Sequence, residues 1–292
     1  MNILLFGKNG QLGSEFQKLL PHLGAVTSLD QEDLDLCDTL ALKNALHDTK
    51  PDLIINASAY TAVDRAEKEI DKTMKVNALA PAVMAEAARK SNAVFIHYST
   101  DYVFDGNKES PYTEDDAVNP LNVYGKSKFA GEENIAQAGK AYLVLRTSWV
   151  YSMRGESFVS KVLGWARKNK TLRIVNDQIS NPTWARELAK ATQQILAQNL
   201  ADLHEAISEK RGIYHLAGSG YTSRYEWAKE ILASDPNRTE QLTQTLEPAS
   251  SDEFPTPALR PRFSALDCSK ITETFDVRLP DWRVSLQKAM SE

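Results

Sequence analysis

The sequence predicts an α/β fold: a doubly wound parallel sheet of Rossmann type followed by a smaller α+β unit. Three observations carry this. Apolar runs of strand length alternate with segments of helical spacing through the first half of the chain. Those runs are apolar throughout, rather than at every second residue, as strands covered on both faces must be. And a glycine-spaced loop, Gly7-Lys8-Asn9-Gly10-Gln11-Leu12-Gly13, joins the first run to the first helical segment.

In order, strands are expected at 2–6, 25–29, 52–56, 93–98 and 142–146. Helices are expected at 11–20, 39–46, 71–90 and 123–137. The helix at 11–20 rests on Leu12, Phe16, Leu19 and Leu20, which recur on one side. Beyond Trp149 the pattern loosens, with helices at 156–169, 184–199, 224–234 and 282–290 and short strands at 172–175 and 213–217. A loop rich in proline and serine fills 247–262. The 292 residues suit two packed units, a nucleotide-binding 1–150 and a mainly substrate-binding 151–292, some of whose segments return to the first.

Composition excludes several classes. Lys and Arg number 34 against 39 Asp and Glu, a net charge of -5, and the basic residues are scattered. A nucleic-acid surface is not expected from such a chain. No apolar run is long enough to span a bilayer, and the apolar N-terminus lacks a basic flank, so it reads as a buried strand rather than a signal peptide. Two cysteines, Cys37 and Cys268, fit a reducing, cytoplasmic setting.

The glycine loop has the spacing GxxGxxG within a βαβ unit. Glycines there let a backbone approach a pyrophosphate closely, and the helix start offers free N–H groups to the anion. The cofactor expected is therefore NADPH or NADH, touching Gly7, Gly10, Gln11, Leu12 and Gly13. Asp30, ending the second strand, can accept from a ribose hydroxyl and favour NAD; Lys8 could meet a 2′-phosphate and favour NADP. The two signals leave the preference open. Small residues after the third strand, Asn56-Ala57-Ser58-Ala59-Tyr60, give a dinucleotide room to lie flat.

Tyr124 and Lys128 stand four apart on a helix and share a face. Reducing a ketone needs a hydride on carbon, which belongs to the cofactor, and a proton on oxygen. A tyrosine can donate that proton if a lysine ammonium lowers its pKa from ~10. Thr100, at the end of the fourth strand, places a hydroxyl where it can bind the substrate oxygen. A second Tyr-x-x-x-Lys, Tyr225 and Lys229, has no strand or glycine loop feeding it and reads as chance. The histidines His22, His47, His97, His204 and His215 are dispersed without metal spacing, and His97 reads as a strand residue.

With these pieces in place the chain resembles the extended short-chain dehydrogenase/reductases and, within them, the dTDP-4-dehydrorhamnose reductases. Similar blocks run its whole length: Asn2 to Lys8, Asn56-Ala57 with Tyr60 to Asp64, His97 to Phe104, Pro120 to Lys126, Arg146 to Tyr151, Asn176 to Gln178, and Pro255 to Ala258 with Arg260-Pro261. The resemblance implies reduction of dTDP-4-dehydro-L-rhamnose to dTDP-L-rhamnose, the last step in making that sugar donor. It makes Tyr124 the proton donor, Lys128 its partner and Thr100 the tuning hydroxyl. It places Asp101 and Trp149 on the sugar and Arg260 on the diphosphate. It extends the cofactor contacts to Asp30, Asp35, Leu36, Ser58, Ala59, Tyr60 and Tyr98, besides Tyr124 and Lys128.

Some members dimerise around magnesium held by glutamates, for which Glu15 and Glu292 are suitably placed. Arg186, however, stands where a glutamate after Pro-Thr is expected, with Glu187 shifted by one, and a cation there opposes the metal. Asn9 replaces a common threonine in the glycine loop. The partner implied is a small nucleotide sugar, with the protein a monomer or homodimer. Two rivals stay open at this point: reduction of another nucleotide-linked 4-ketosugar, and a non-catalytic, NADP-binding regulatory subunit of methionine adenosyltransferase.

Overall fold

The computed structural model describes residues 1–292. Five strands from the first half, β1 (Asn2–Phe6), β2 (Ala25–Leu29), β3 (Leu53–Asn56), β4 (Val94–Thr100) and β5 (Tyr142–Thr147), join β6 (Gly212–His215) in one parallel sheet. The order is β6-β5-β4-β3-β1-β2. The chain leaves β1 toward β2 on one side and returns to β3 on the other, so the sheet reverses between β1 and β3. A crevice at the carboxyl ends of the strands follows from that reversal.

The strands alternate sides with the period of two that the pleat imposes. Ile3 and Leu5 face α1 (Gln11–Leu19), together with Leu53, Ile55, Ile96 and Leu145. Leu4 and Phe6 face the opposite layer, where α2 (Thr39–Thr49), α3 (Ala80–Ser91) and α4 (Val123–Ala138) contribute Leu42, Met84 and Ile135. Both faces are covered, which is why the inner strands are buried almost throughout, while the edge strand β2, with Thr27 and Ser28, stays partly exposed. The expected α/β class is borne out.

The later segments do not stay apart from this sheet. α5 (Ala185–Gln198) lays Leu188 and Ile195 on the β1 layer, as does the helix Ser269–Phe275 with Ile271 and Phe275. A separate core lies between the remaining pieces, with Tyr151, Trp184, Trp227 and Trp282 buried together. No helix is long and apolar enough to cross a membrane.

Four expectations need correction. The helix anticipated over 71–90 is interrupted: Ile70–Met74 and α3 are joined by a π turn at Lys75–Leu79. Pro81 has no N–H to give the carbonyl of Asn77, so the regular ladder fails there. The Asn77 amide instead binds both backbone groups of Tyr60 (2.8 and 3.1 Å) and the Ser127 hydroxyl. The strand anticipated at 213–217 within the second unit is β6 of the main sheet. The loop at 247–262 begins as a strand, Thr245–Ala249, paired in parallel with Thr171–Val175. Helices at Leu203–Glu209 and Ser269–Phe275 were not anticipated, since each is only two turns long.

Candidate active site

At the end of β1 the chain turns at Gly7, whose φ of 86° lies in the region glycine alone enters without strain. A Cβ there would sit 2.8 Å from the backbone nitrogen of Ser58. Gly13, in the first turn of α1, packs so closely that a Cβ would strike the carbonyl oxygen of Gly7. Gly10 precedes α1 in extended conformation and offers no side-chain cap. The first-turn N–H groups therefore lack internal acceptors beside a groove lined by Gly7, Gly10, Gln11 and Leu12. The Gln11 Oε1 is buried there without a partner. This donor set fits the diphosphate of a dinucleotide. Gly13→Ala is expected to push the loop from α1 and weaken NADPH binding by about tenfold or more, some 1.4 kcal/mol, in a fluorescence titration.

From this loop the groove runs two ways. Toward β2 it is lined by Asp30, Asp35, Leu36, Ser58, Ala59 and Tyr60, with Arg65 and Lys72 on the rim. Asp30 is already engaged: its Oδ2 accepts from the Asn9 amide at 2.8 Å and its Oδ1 from the Gln31 amide at 2.7 Å. Lys8 is turned to Asp33 at 2.6 Å. The Tyr60 hydroxyl donates to Glu69.

Toward β4 and β5 the groove is lined by Tyr98, Thr100, Asp101, Tyr124, Lys128 and Trp149, residues far apart in sequence. α4 presents Tyr124 and Lys128 on one face. Its start is pinned by Asn122, whose side-chain oxygen caps the Gly125 amide at 2.8 Å while its Nδ2 donates to the Leu259 carbonyl at 2.7 Å. Gly125 allows this: a Cβ would strike the carbonyl oxygen of Tyr102. Thr100 caps the turn after β4, accepting from the Tyr102 amide and donating to Asp101. The rival pair lies elsewhere: Tyr225 donates to the Leu246 carbonyl, and Lys229 pairs with Glu226 on the surface.

The electrostatics depart from expectation. Burial pushes the Tyr124 phenol well above its ordinary value, with the Thr100 hydroxyl pulling the other way. Lys128 does not lower it, because its Nζ is turned to the Tyr98 carbonyl (2.6 Å) and to His97 (3.0 Å). Tyr98 faces the groove with its ring only, its hydroxyl being bound to Thr192 at 2.6 Å. Asp101 is spent on three hydroxyls, those of Thr100, Ser180 and Ser264.

Burial lifts the Asp101 carboxyl to about 6, against those hydroxyls. The folded chain thus holds this proton more tightly than the unfolded chain does. The associated stability is whole below the unfolded value near 4 and is lost as pH rises through about 6. Asp101→Asn is expected to remove that loss, gaining up to roughly 3 kcal/mol at neutral pH and nothing in acid, by urea unfolding across the range.

The whole chain, residues 1–292, matches the family model described as RmlD substrate binding domain. A dTDP-4-dehydrorhamnose reductase from Burkholderia thailandensis is 39% identical over 289 residues, covering 98% of this chain and 97% of the relative. The chain belongs to the dTDP-4-dehydrorhamnose reductase family. A solved dTDP-4-dehydrorhamnose reductase from Clostridium acetobutylicum superposes with a TM-score of 0.89 at 34% identity, covering 100% and 99% of the two chains. Another, from Bacillus anthracis in complex with NADP, has a TM-score of 0.87 at 29% identity over 99% and 98%.

Within this family frame, the structure brings most of the anticipated residues to one groove and leaves a few outside it. Trp149 holds a φ of 41°, unusual for so bulky a residue, and its ring stacks on Trp227 at 5.5 Å. Strain of that kind is concentrated at functional sites. Arg260 does not line the groove; Asp64 holds it through both nitrogens at 3.1 and 2.8 Å. It is thus neither a solvated loop charge nor a free cation. Glu15 and Glu292 are both bound by Arg186, Nε to Glu15 at 3.1 Å and NH1 to Glu292. The guanidinium occupies the place between carboxylates that a divalent ion would need. Cys37 and Cys268 are free thiols.

Two residues of the site were missed in the sequence. Arg224 has its guanidinium 3.7 Å from the centre of the Trp149 ring, close to Asp101 and Tyr102. Tyr102 meets the Tyr124 ring edge-on at 5.8 Å. Nothing in the stretch Thr222-Ser223-Arg224 announces an arginine stacked on Trp149. Tyr102 lay within a matching block and could have been singled out.

Proposed function

We propose that this protein reduces the C4 ketone of dTDP-4-dehydro-L-rhamnose to dTDP-L-rhamnose with NADPH or NADH. One observation carries the reading: Thr100, Tyr124 and Lys128 converge on a groove continuous with the glycine loop, and Trp149, with Arg224 stacked on its ring, walls its other side. Gly10, Gln11 and Leu12 would hold the diphosphate of the cofactor, and Asp30, Asp35, Leu36, Ser58, Ala59 and Tyr60 its adenosine half. When bound, the dihydronicotinamide supplies hydride to the carbonyl carbon.

The chain's own groups supply the rest. Tyr124 donates a proton to the carbonyl oxygen. Its buried phenol keeps that proton until charge builds on the substrate, so the transfer is tied to reduction. Thr100 turns its one hydroxyl proton from Asp101 to the same oxygen, taking charge off it. Lys128, one turn along, is the nearest titratable amine to that charge and to the nicotinamide ribose. Trp149 packs on the sugar, Asp101 holds the turn that carries Thr100, and Arg224 stacks on the Trp149 ring and holds it in place. Arg260 acts through Asp64 rather than on the ligand directly.

We further propose a cytoplasmic protein, monomeric or homodimeric, with Arg186 excluding a magnesium link. Residues 1–150 with the returning segments form the nucleotide-binding unit, and the rest the substrate-binding one. The test is loss of NAD(P)H absorbance when the ketosugar is generated in situ from dTDP-glucose. Turnover that requires both ketosugar and reduced cofactor is expected; oxidation with no such requirement, or none at all, refutes the reading.

A further inference from the structure

Lys128 ends a hydrogen-bonded chain that the proposed reaction leaves unused. Its Nζ lies 3.0 Å from Nε2 of His97, and Nδ1 of His97 lies 3.1 Å from Nδ2 of Asn56. The Asn56 Oδ1 accepts from the Ser58 amide at 3.1 Å and from the Ser58 hydroxyl at 2.5 Å. Asn56, His97 and Lys128 are buried, at 0%, 0% and 1% exposure.

The direction of this chain follows from donor counting. A backbone N–H can only donate, so the Asn56 oxygen faces Ser58 and its NH2 faces His97. The imidazole must then accept at Nδ1. Burial holds His97 neutral, far below its ordinary titration. A neutral ring that accepts at Nδ1 carries its hydrogen on Nε2, and that N–H is aimed at Lys128. An amine nitrogen has a lone pair to receive it, while its own hydrogens reach the Tyr98 carbonyl at 2.6 Å. An ammonium has no lone pair, so charging Lys128 breaks one link of a buried chain.

We propose that His97 is a positioning residue, which fixes Lys128 and favours its neutral amine through a one-way donor chain beginning at the Ser58 backbone. The inference rests on the reading of Lys128 as the partner of Tyr124. Burial points the same way, bringing the lysine down to about 8 against the opposing charge of Glu132. The other groups around Lys128 are Tyr124 one turn before it, Tyr98 and Asp101 from the β4 edge, and Arg146 of β5, which is locked to Glu132. Lys128 therefore gives up its proton much closer to neutrality than an exposed lysine does.

The test reads Lys128 directly in the full chain, with ¹³C-labelled lysine and Lys128→Met to assign its signal. Asn56→Asp keeps the shape but presents an oxygen to His97. Nδ1 then becomes the donor, Nε2 accepts from the ammonium, and the Lys128 midpoint is expected to rise by about two pH units. In a His97→Phe background the same Asn56→Asp change acts by charge alone and should raise it less than half as far. His97→Gln can accept from Asn56 and donate to Lys128, so its midpoint should stay near wild type. Equal shifts from Asn56→Asp in both backgrounds, or a Gln variant titrating like the Phe variant, overturn the proposal. These titrations need no substrate, so failure of the ketosugar assay and failure of the donor chain are seen separately.

Discussion

Tyr124→Phe is expected to lower kcat by about 10²–10⁴-fold, the range for losing a positioned general acid, while NADPH affinity is unchanged. The phenylalanine keeps the ring that meets Tyr102 edge-on at 5.8 Å and keeps its place on α4, so the groove retains its shape. Only the oxygen beside Thr100 is lost. No other proton donor stands there: Lys128 is turned to Tyr98 and His97, and Asp101 is bound to three hydroxyls. The variant should therefore lose kcat and kcat/KM together, the pattern of an interaction made in the transition state. Turnover near wild type with the ketosugar would show that Tyr124 is not the acid.

Arg146→Met carries the largest expected cost in stability. Arg146 on β5 holds Glu132 on α4 through Nε at 3.0 and 3.2 Å and NH2 at 2.6 Å. Their side chains are only 3% and 0% exposed. Removing the guanidinium leaves a carboxylate in the interior with no partner, a loss of about 3–5 kcal/mol. Thermal unfolding should fall by roughly 10 °C. Glu132→Leu/Arg146→Met, which removes both charges, should recover most of that loss, because the intact pair offsets its own desolvation only in part. A double variant as unstable as the single one would mean that the cost is one of packing rather than of a stranded charge.

What could be read from the sequence followed from local rules. The βαβ unit with its glycine loop was legible because strand, loop and helix are contiguous. Tyr124 and Lys128 were legible as a pair because helix geometry alone puts residues four apart on one face. Thr100 and Asp101 followed from standing at a strand's end. Where the side chains would turn was not legible. Lys128 meets His97 and the Tyr98 carbonyl, both thirty or so residues away on β4, and so leaves Tyr124 with a raised rather than a lowered pKa. Asp101 was expected on the sugar, yet Ser180 and Ser264, from distant parts of the chain, claim its oxygens. Arg224 reaches the Trp149 ring only because its helix packs beside it, a contact with no local sequence signal. The π turn at Lys75–Leu79 was signalled in part by Pro81, but the Asn77 contacts that stabilise it lie in the loop after β3 and in α4.

In the proposed reaction a hydride passes from the glycine-loop groove to the sugar ketone that Tyr124 protonates. Its most direct test uses NADPH deuterated at C4 of the nicotinamide on the transferred face, with mass spectrometry of the isolated nucleotide sugar. One deuterium per product molecule is expected, carried at C4 of dTDP-rhamnose. Product without deuterium, or label retained wholly in the oxidised cofactor, would contradict it.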